Sequence, residues 1–211
     1  MAGDARRRTA TRSDEEIMAN PYASSGDTDT LCVVDPLAYN LGLANNTLRF
    51  TAQMINHGAG DKAKDDLEHL GWPLVATGLN QGERIVRRAF KSMNNVREAE
   101  FAARRATTYG AGNCGEQAAV AFIYLRDQGA KPIALMSIAN GDHAFVLIGF
   151  GPLSQEWEPY TWGPNAVICD PWLNQAYPAV QFYSHMNWKP GLRPEVEIQV
   201  PASPSMPSWA D

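Results

Sequence analysis

Tyr109-Gly110-Ala111-Gly112-Asn113-Cys114-Gly115-Glu116-Gln117 is a glycine-rich turn that runs straight into an apolar, helix-like stretch over residues 118–126. Asn113 is a good N-cap residue, and Glu116, three positions on, completes a capping-box pattern, so the helix is expected to begin at Cys114. First-turn N–H groups carry partial positive charge and lack intrahelical partners, which is where a thiolate is best stabilised. Gly129 closes this helix. Beyond it, residues 132–138 read as a strand, Asn140-Gly141-Asp142 as a tight turn, and residues 143–150 as the second strand of a hairpin. A loop over 151–164 leads to a third short strand at 166–169, ended by Asp170-Pro171-Trp172. The order predicts an α+β fold: a helical N-terminal half packed on a small antiparallel sheet, with the nucleophile helix against it.

The spacing of three residues gives this frame a chemical reading. His143 follows Cys114 by 29 residues, enough for one helix, one strand and one turn. Asp170 lies another 27 residues on, enough for a strand, a long loop and the next strand. His143 and Asp170 can therefore fall on neighbouring strands, Asp170 accepting from one imidazole nitrogen while the other faces sulfur. Cys114, His143 and Asp170 would then be nucleophile, base and orienter. Asp142 competes for the third role, but successive strand residues point to opposite faces, and Asp170 is preferred. Each residue alone has an ordinary reading: a packing thiol, a turn histidine, an Asp-Pro turn. It is their combination with the capped turn that favours catalysis. Oxyanion donors would be the Cys114 backbone N–H, with Asn113 in support.

The Gly-Asn-Cys-Gly-Glu opening, the His-Ala-Phe-Val strand and the Cys-Asp-Pro-Trp strand end resemble the catalytic core of the papain-like and transglutaminase-like cysteine enzyme superfamily, over roughly residues 107–173. The resemblance implies a papain-like core with Cys114 as nucleophile, His143 as base and Asp170 as orienting residue. It implies a cysteine hydrolase acting on amide bonds of a protein substrate through a thioester, as a protease or glutamine deamidase, with a bacterial secreted effector acting on a host protein as the setting. Alternatives are a transglutaminase-type crosslinking enzyme and a non-catalytic interaction protein of the same fold. Thr107-Thr108-Tyr109 stand where the papain branch has its oxyanion glutamine, and the interval from His143 to Asp170 exceeds the transglutaminase pattern.

Composition bounds the rest. The chain has 211 residues, 45% hydrophobic and 19% charged, with net charge −5. That is globular, and it disfavours nucleic acid as a partner. No apolar run is long enough to span a bilayer. Residues 1–20 lack the apolar segment of a secretory signal, so synthesis in the cytoplasm, with any export independent of a cleavable signal, is expected. Cys32, Cys114 and Cys169 form neither a paired disulfide set nor a zinc pattern, and no cofactor or metal is expected; Cys32 and Cys169, in short apolar runs, read as inert core thiols.

Residues 1–30 read as a polar, disordered lead, 31–200 as a single catalytic domain, and 201–211 as a proline-rich tail. Helices are expected over 47–57, 62–70 and 82–106. The last has seven basic residues against three acidic, a solvated face or a patch for an acidic partner. Residues 196–200 read as an edge strand. In the loop over 151–164, Trp157, Tyr160 and Trp162 either anchor a partner or fill a satellite core. His57, His69 and His185 read as structural or surface residues.

Overall fold

The computed structural model describes residues 35–57, 95–139, 141–151, 158–186 and 193–202. Helix α1 spans Pro36–Met54, α2 Val96–Tyr109 and α3 Cys114–Asp127. Strands β1 (Ile133–Ala139), β2 (Ala144–Ile148), β3 (Val167–Asp170) and β4 (Gln175–Pro178) follow, then the short helix α4 (Phe182–His185) and strand β5 (Arg193–Val200). Two 3-10 turns, Pro159–Thr161 and Ala179–Gln181, flank β3 and β4. The protein is α+β, and its five strands form one antiparallel sheet in the order β4-β3-β2-β1-β5.

Local chemistry sets where the helices begin. Asp35 caps α1, its side chain accepting from the Leu37 N–H at 2.9 Å, and Pro36 fills the first turn, where no N–H is needed. The helix therefore starts eleven residues ahead of the expected Thr47 and ends at Met54 rather than His57. Asn95 caps α2 in an extended conformation, its side chain accepting from the Glu98 N–H at 3.1 Å. This corrects the expected continuous helix over 82–106: helical structure begins at Val96, and residues 82–94 lie outside the described residues, as does the expected helix over 62–70.

Alternation along the strands divides the core in two. Ile133, Leu135, Val146, Ile148, Val167 and Cys169 face the three long helices, while Ala134, Met136, Phe145, Leu147 and Ile168 face a second cluster with Trp162, Tyr177 and Phe182. Helix α3 is buried through most of its length, with Phe122 and Leu125 fully covered. Helix α2 reaches it through a stripe of small residues at helical spacing, Ala99, Ala102, Ala103 and Ala106, all buried. The stripe lets the two backbones approach closely, holding the start of α3 against the sheet.

A polar contact locks α1 onto the opposite end of the strands. Asn40 Nδ2 donates to the Asn165 carbonyl at 2.9 Å, and Gly149 leaves room for it: a Cβ there would lie 1.9 Å from Asn40 Nδ2. Gly149 also sits at φ +71°, a left-handed conformation that favours glycine. Among the described residues, no helix is long and apolar enough to cross a membrane.

Candidate active site

The glycine-rich turn between α2 and α3 is fixed at four points. Gly110 closes α2 at φ +63°, and the Ala111 N–H reaches back to the Ala106 carbonyl at 3.2 Å. The Gly110 carbonyl accepts from the His57 N–H at 2.8 Å, tying the turn to the end of α1. Gln117 Nε2 donates to the buried Gly112 carbonyl at 2.8 Å. Glu116 Oε2 accepts from the Asn113 N–H at 3.1 Å, the returning half of the capping box, and Glu116 is buried with its charge at the positive end of the helix. A Cβ at Gly112 would lie 2.7 Å from Glu116 Cβ, so this glycine leaves room for the Glu116 side chain to reach back. Cys114 emerges from that turn as the first residue of α3, partly exposed.

The hairpin brings His143 to the same place. The Ile138 N–H donates to the His143 carbonyl at 3.0 Å, so His143 is the residue at which the turn rejoins the β1–β2 ladder. The register pairs Val146 with Cys169 and Leu147 with Ile168; continued one step, it sets Asp170 opposite Phe145 and diagonal to His143 on one sheet face. His143 Nε2 lies 2.5 Å from Asp170 Oδ2. The Cys114 side chain lies near enough to the same ring to favour its protonated form. The Asp142 carbonyl lies 3.9 Å from Cys114 Sγ, a second, weaker polar neighbour for the thiol.

The electrostatics follow from burial and these partners. Burial disfavours the charged imidazole, but the hydrogen bond to Asp170, the nearby Cys114 and the negative charge beside the ring more than offset this. The balance pushes His143 up to about 9. Asp170 is fully buried, and its second oxygen, Oδ1, accepts from the Leu173 N–H at 2.9 Å. The carboxylate is thus held by both oxygens and cannot swing away from the ring. Trp172 meets the imidazole edge-on with centroids 5.6 Å apart, and Phe145 lies 6.3 Å away.

Cys114, His143 and Asp170 are therefore brought together. Asn113 stands at the N-cap, with its buried Oδ1 making no hydrogen bond. Asp142 contributes its carbonyl while the residue itself is exposed. Sequence reasoning missed Leu173 and Trp172. The Asp-Pro turn gave a signal for the first, since aspartate side chains commonly accept from an N–H a few residues on. Trp172 is placed by that same turn, with no periodic signal to reveal it.

Other expected features fall elsewhere. Cys169 is fully buried, with its thiol near the Ala44 carbonyl at 3.6 Å, and burial pushes it far above the usual thiol range. Trp162 is fully buried in the second core, tilted against Phe145 and edge-on to Phe182, so it fills the core instead of anchoring a partner. Trp157, Cys32 and His69 lie outside the described residues. His185 stacks on Tyr177 with centroids 4.0 Å apart. Arg105, counted among the basic face of α2, is buried against Phe101. A groove among α1, α2 and α3, lined by Phe50, Ala103, Val120 and Tyr124, includes none of the three candidate residues.

Comparison of the chain with protein-family models, with curated proteins and with solved structures finds no match in any of the three.

Proposed function

We propose that the protein is a cysteine-dependent acyl-transfer enzyme with a papain-like core, acting on amide bonds of a protein substrate as a protease or glutamine deamidase. One observation carries this reading: a single imidazole engaged on Nε2 by a buried carboxylate, with a helix-start thiol near the same ring. In this reading the Cys114 proton has passed to His143, whose raised pKa favours the imidazolium, before sulfur attacks the amide carbon. The tetrahedral oxyanion is held by the Cys114 backbone N–H at the head of α3, with Asn113 in support. Collapse breaks the carbon–nitrogen bond, and His143 returns the proton to the departing amine, or to ammonia from a glutamine side chain. Water then attacks the thioester with His143 as base, releasing a carboxylic acid and regenerating the thiol.

Asp170 acts through the ring: held by two hydrogen bonds, it fixes the tautomer and stabilises the imidazolium that forms at each proton transfer. The setting we infer with it is a secreted bacterial effector acting on a host protein. Transglutaminase chemistry differs only in an amine replacing water in the last step.

Intact-mass spectrometry of candidate protein substrates after incubation tests the proposal. Cleavage yields fragments, deamidation exchanges NH₂ for OH, and crosslinking yields a sum of masses. All must vanish in Cys114→Ala. A Cys114 thiol that reacts with iodoacetamide no faster than free cysteine at neutral pH would instead favour an interaction protein of this fold.

A further inference from the structure

Among the described residues, the large apolar side chains left exposed are Met54, Tyr160, Val180 and Tyr183, and the last three come from one region. Tyr160 is 65% exposed, Val180 64% and Tyr183 46%, although the segments bearing them are anchored. Pro159 and Trp162 bury the base of the first 3-10 turn, and Ala179 and Phe182 that of the second turn and α4. The Thr161 N–H and hydroxyl both bond the Glu158 carbonyl, at 2.9 and 2.8 Å. The Ala179 N–H bonds the Ala166 carbonyl at 2.8 Å, and Tyr183 meets the Phe182 ring edge-on at 5.5 Å. Two phenol rings thus stand in solvent on a rigid base, which lowers the entropic cost of using them in a contact.

Glu158 gives this patch a sign. It stands two residues before Tyr160 at the head of the first turn, where its carbonyl anchors Thr161, and its charge reaches both Tyr160 and Tyr183. A carboxylate beside two aromatic faces and one aliphatic side chain suits a flat, weakly hydrated cation: the guanidinium can stack on a ring while its N–H groups face the acid. A net charge of −5 adds attraction of the same sign.

We propose that Tyr160, Tyr183, Val180 and Glu158 form a docking surface for an arginine-bearing segment of a partner protein. The surface shares no residue with the candidate active site, so it stands independently of the acyl-transfer reading.

The test uses the full chain and a fluorescein-labelled peptide of alternating glycine and arginine, with lysine and citrulline versions, read by anisotropy at physiological ionic strength. The arginine peptide should bind, and the citrulline peptide should not. Tyr160→Ala and Tyr183→Ala should each weaken binding by about two- to fivefold, as expected for a lost cation–π contact at an exposed site. Glu158→Gln should weaken it similarly. Tyr160→Phe, which keeps the ring, should stay within about twofold of wild type, so a loss caused by misfolding is separable from a loss of the contact. Absence of arginine-peptide binding overturns the proposal. So does undiminished binding to a Tyr160→Ala/Tyr183→Ala double variant, which would mean diffuse charge attraction only. Lysine binding as tight as arginine binding would overturn the assignment to a guanidinium.

Discussion

Burial alone would drive the His143 ring toward its neutral form, and the hydrogen bond to Asp170, with Cys114 nearby, reverses that outcome. The ring protons followed by NMR should therefore titrate with a midpoint near 9, against an ordinary histidine value of 6.5. In Asp170→Asn the midpoint should fall, since the favourable charge is lost while burial remains; an unchanged midpoint would remove Asp170 as the cause. The linked effect on stability has a definite sign. A histidine raised on folding stabilises the native state fully below about 6.5, and that contribution is lost as pH rises toward about 9. Denaturant midpoints measured across this window should fall with pH, and the fall should shrink in His143→Gln. The two described cysteines should also separate cleanly. Iodoacetamide should label Cys114 in the native protein and spare Cys169 until unfolding, because Cys169 is fully buried. Cys169→Ala should preserve that labelling while costing roughly 1–2 kcal/mol of stability.

At the scale of elements, the turn before α3 is where geometry is least forgiving. Gly110→Ala would place a methyl 2.4 Å from Asn56 Oδ1 and 2.8 Å from His57 Cδ2, at a left-handed φ. It should cost about 1–3 kcal/mol in urea unfolding and slow alkylation of Cys114, because the turn that presents the thiol must shift. Gly129→Ala is the informative contrast: it is also left-handed but meets open space, so it should cost stability without changing the alkylation rate. The elements most readable in the sequence were those with chemical punctuation. Asn113 and Glu116 announced the start of α3, and Asn140-Gly141-Asp142 the hairpin, because capping and turn formation depend on local side chains. Strand β4 and helix α4 were missed: Gln175-Ala176-Tyr177-Pro178 is short, half-exposed and carries no alternation. The early start of α1 was readable in Asp35-Pro36 and overlooked. Contact between His143 and Asp170 needed the β2–β3 register, which sequence spacing permits but does not fix.

For the molecule as a whole, the sheet separates two cores with different duties: the helical side carries the thiol, and the other side carries the rings behind His143. Trp162 belongs to the second, so Trp162→Ala should destabilise the protein by about 3–5 kcal/mol. Tyr160→Ala, at an exposed site of the same turn, should leave the thermal midpoint nearly unchanged; equal losses for both would mean that Tyr160 is part of the core. Trp162 could not be assigned from sequence because its fate depends on Phe145 and Phe182 arriving from distant segments. The strand order has a temporal consequence. Cys114, His143 and Asp170 belong to three separate segments, joined by one helix packing and one strand register. Until the last of these is in place, the chain carries only an ordinary thiol and a solvated imidazole. Under the proposed chemistry a nascent or misfolded molecule is thus inert toward its neighbours, and the onset of fast alkylation becomes a clock for the final step of folding.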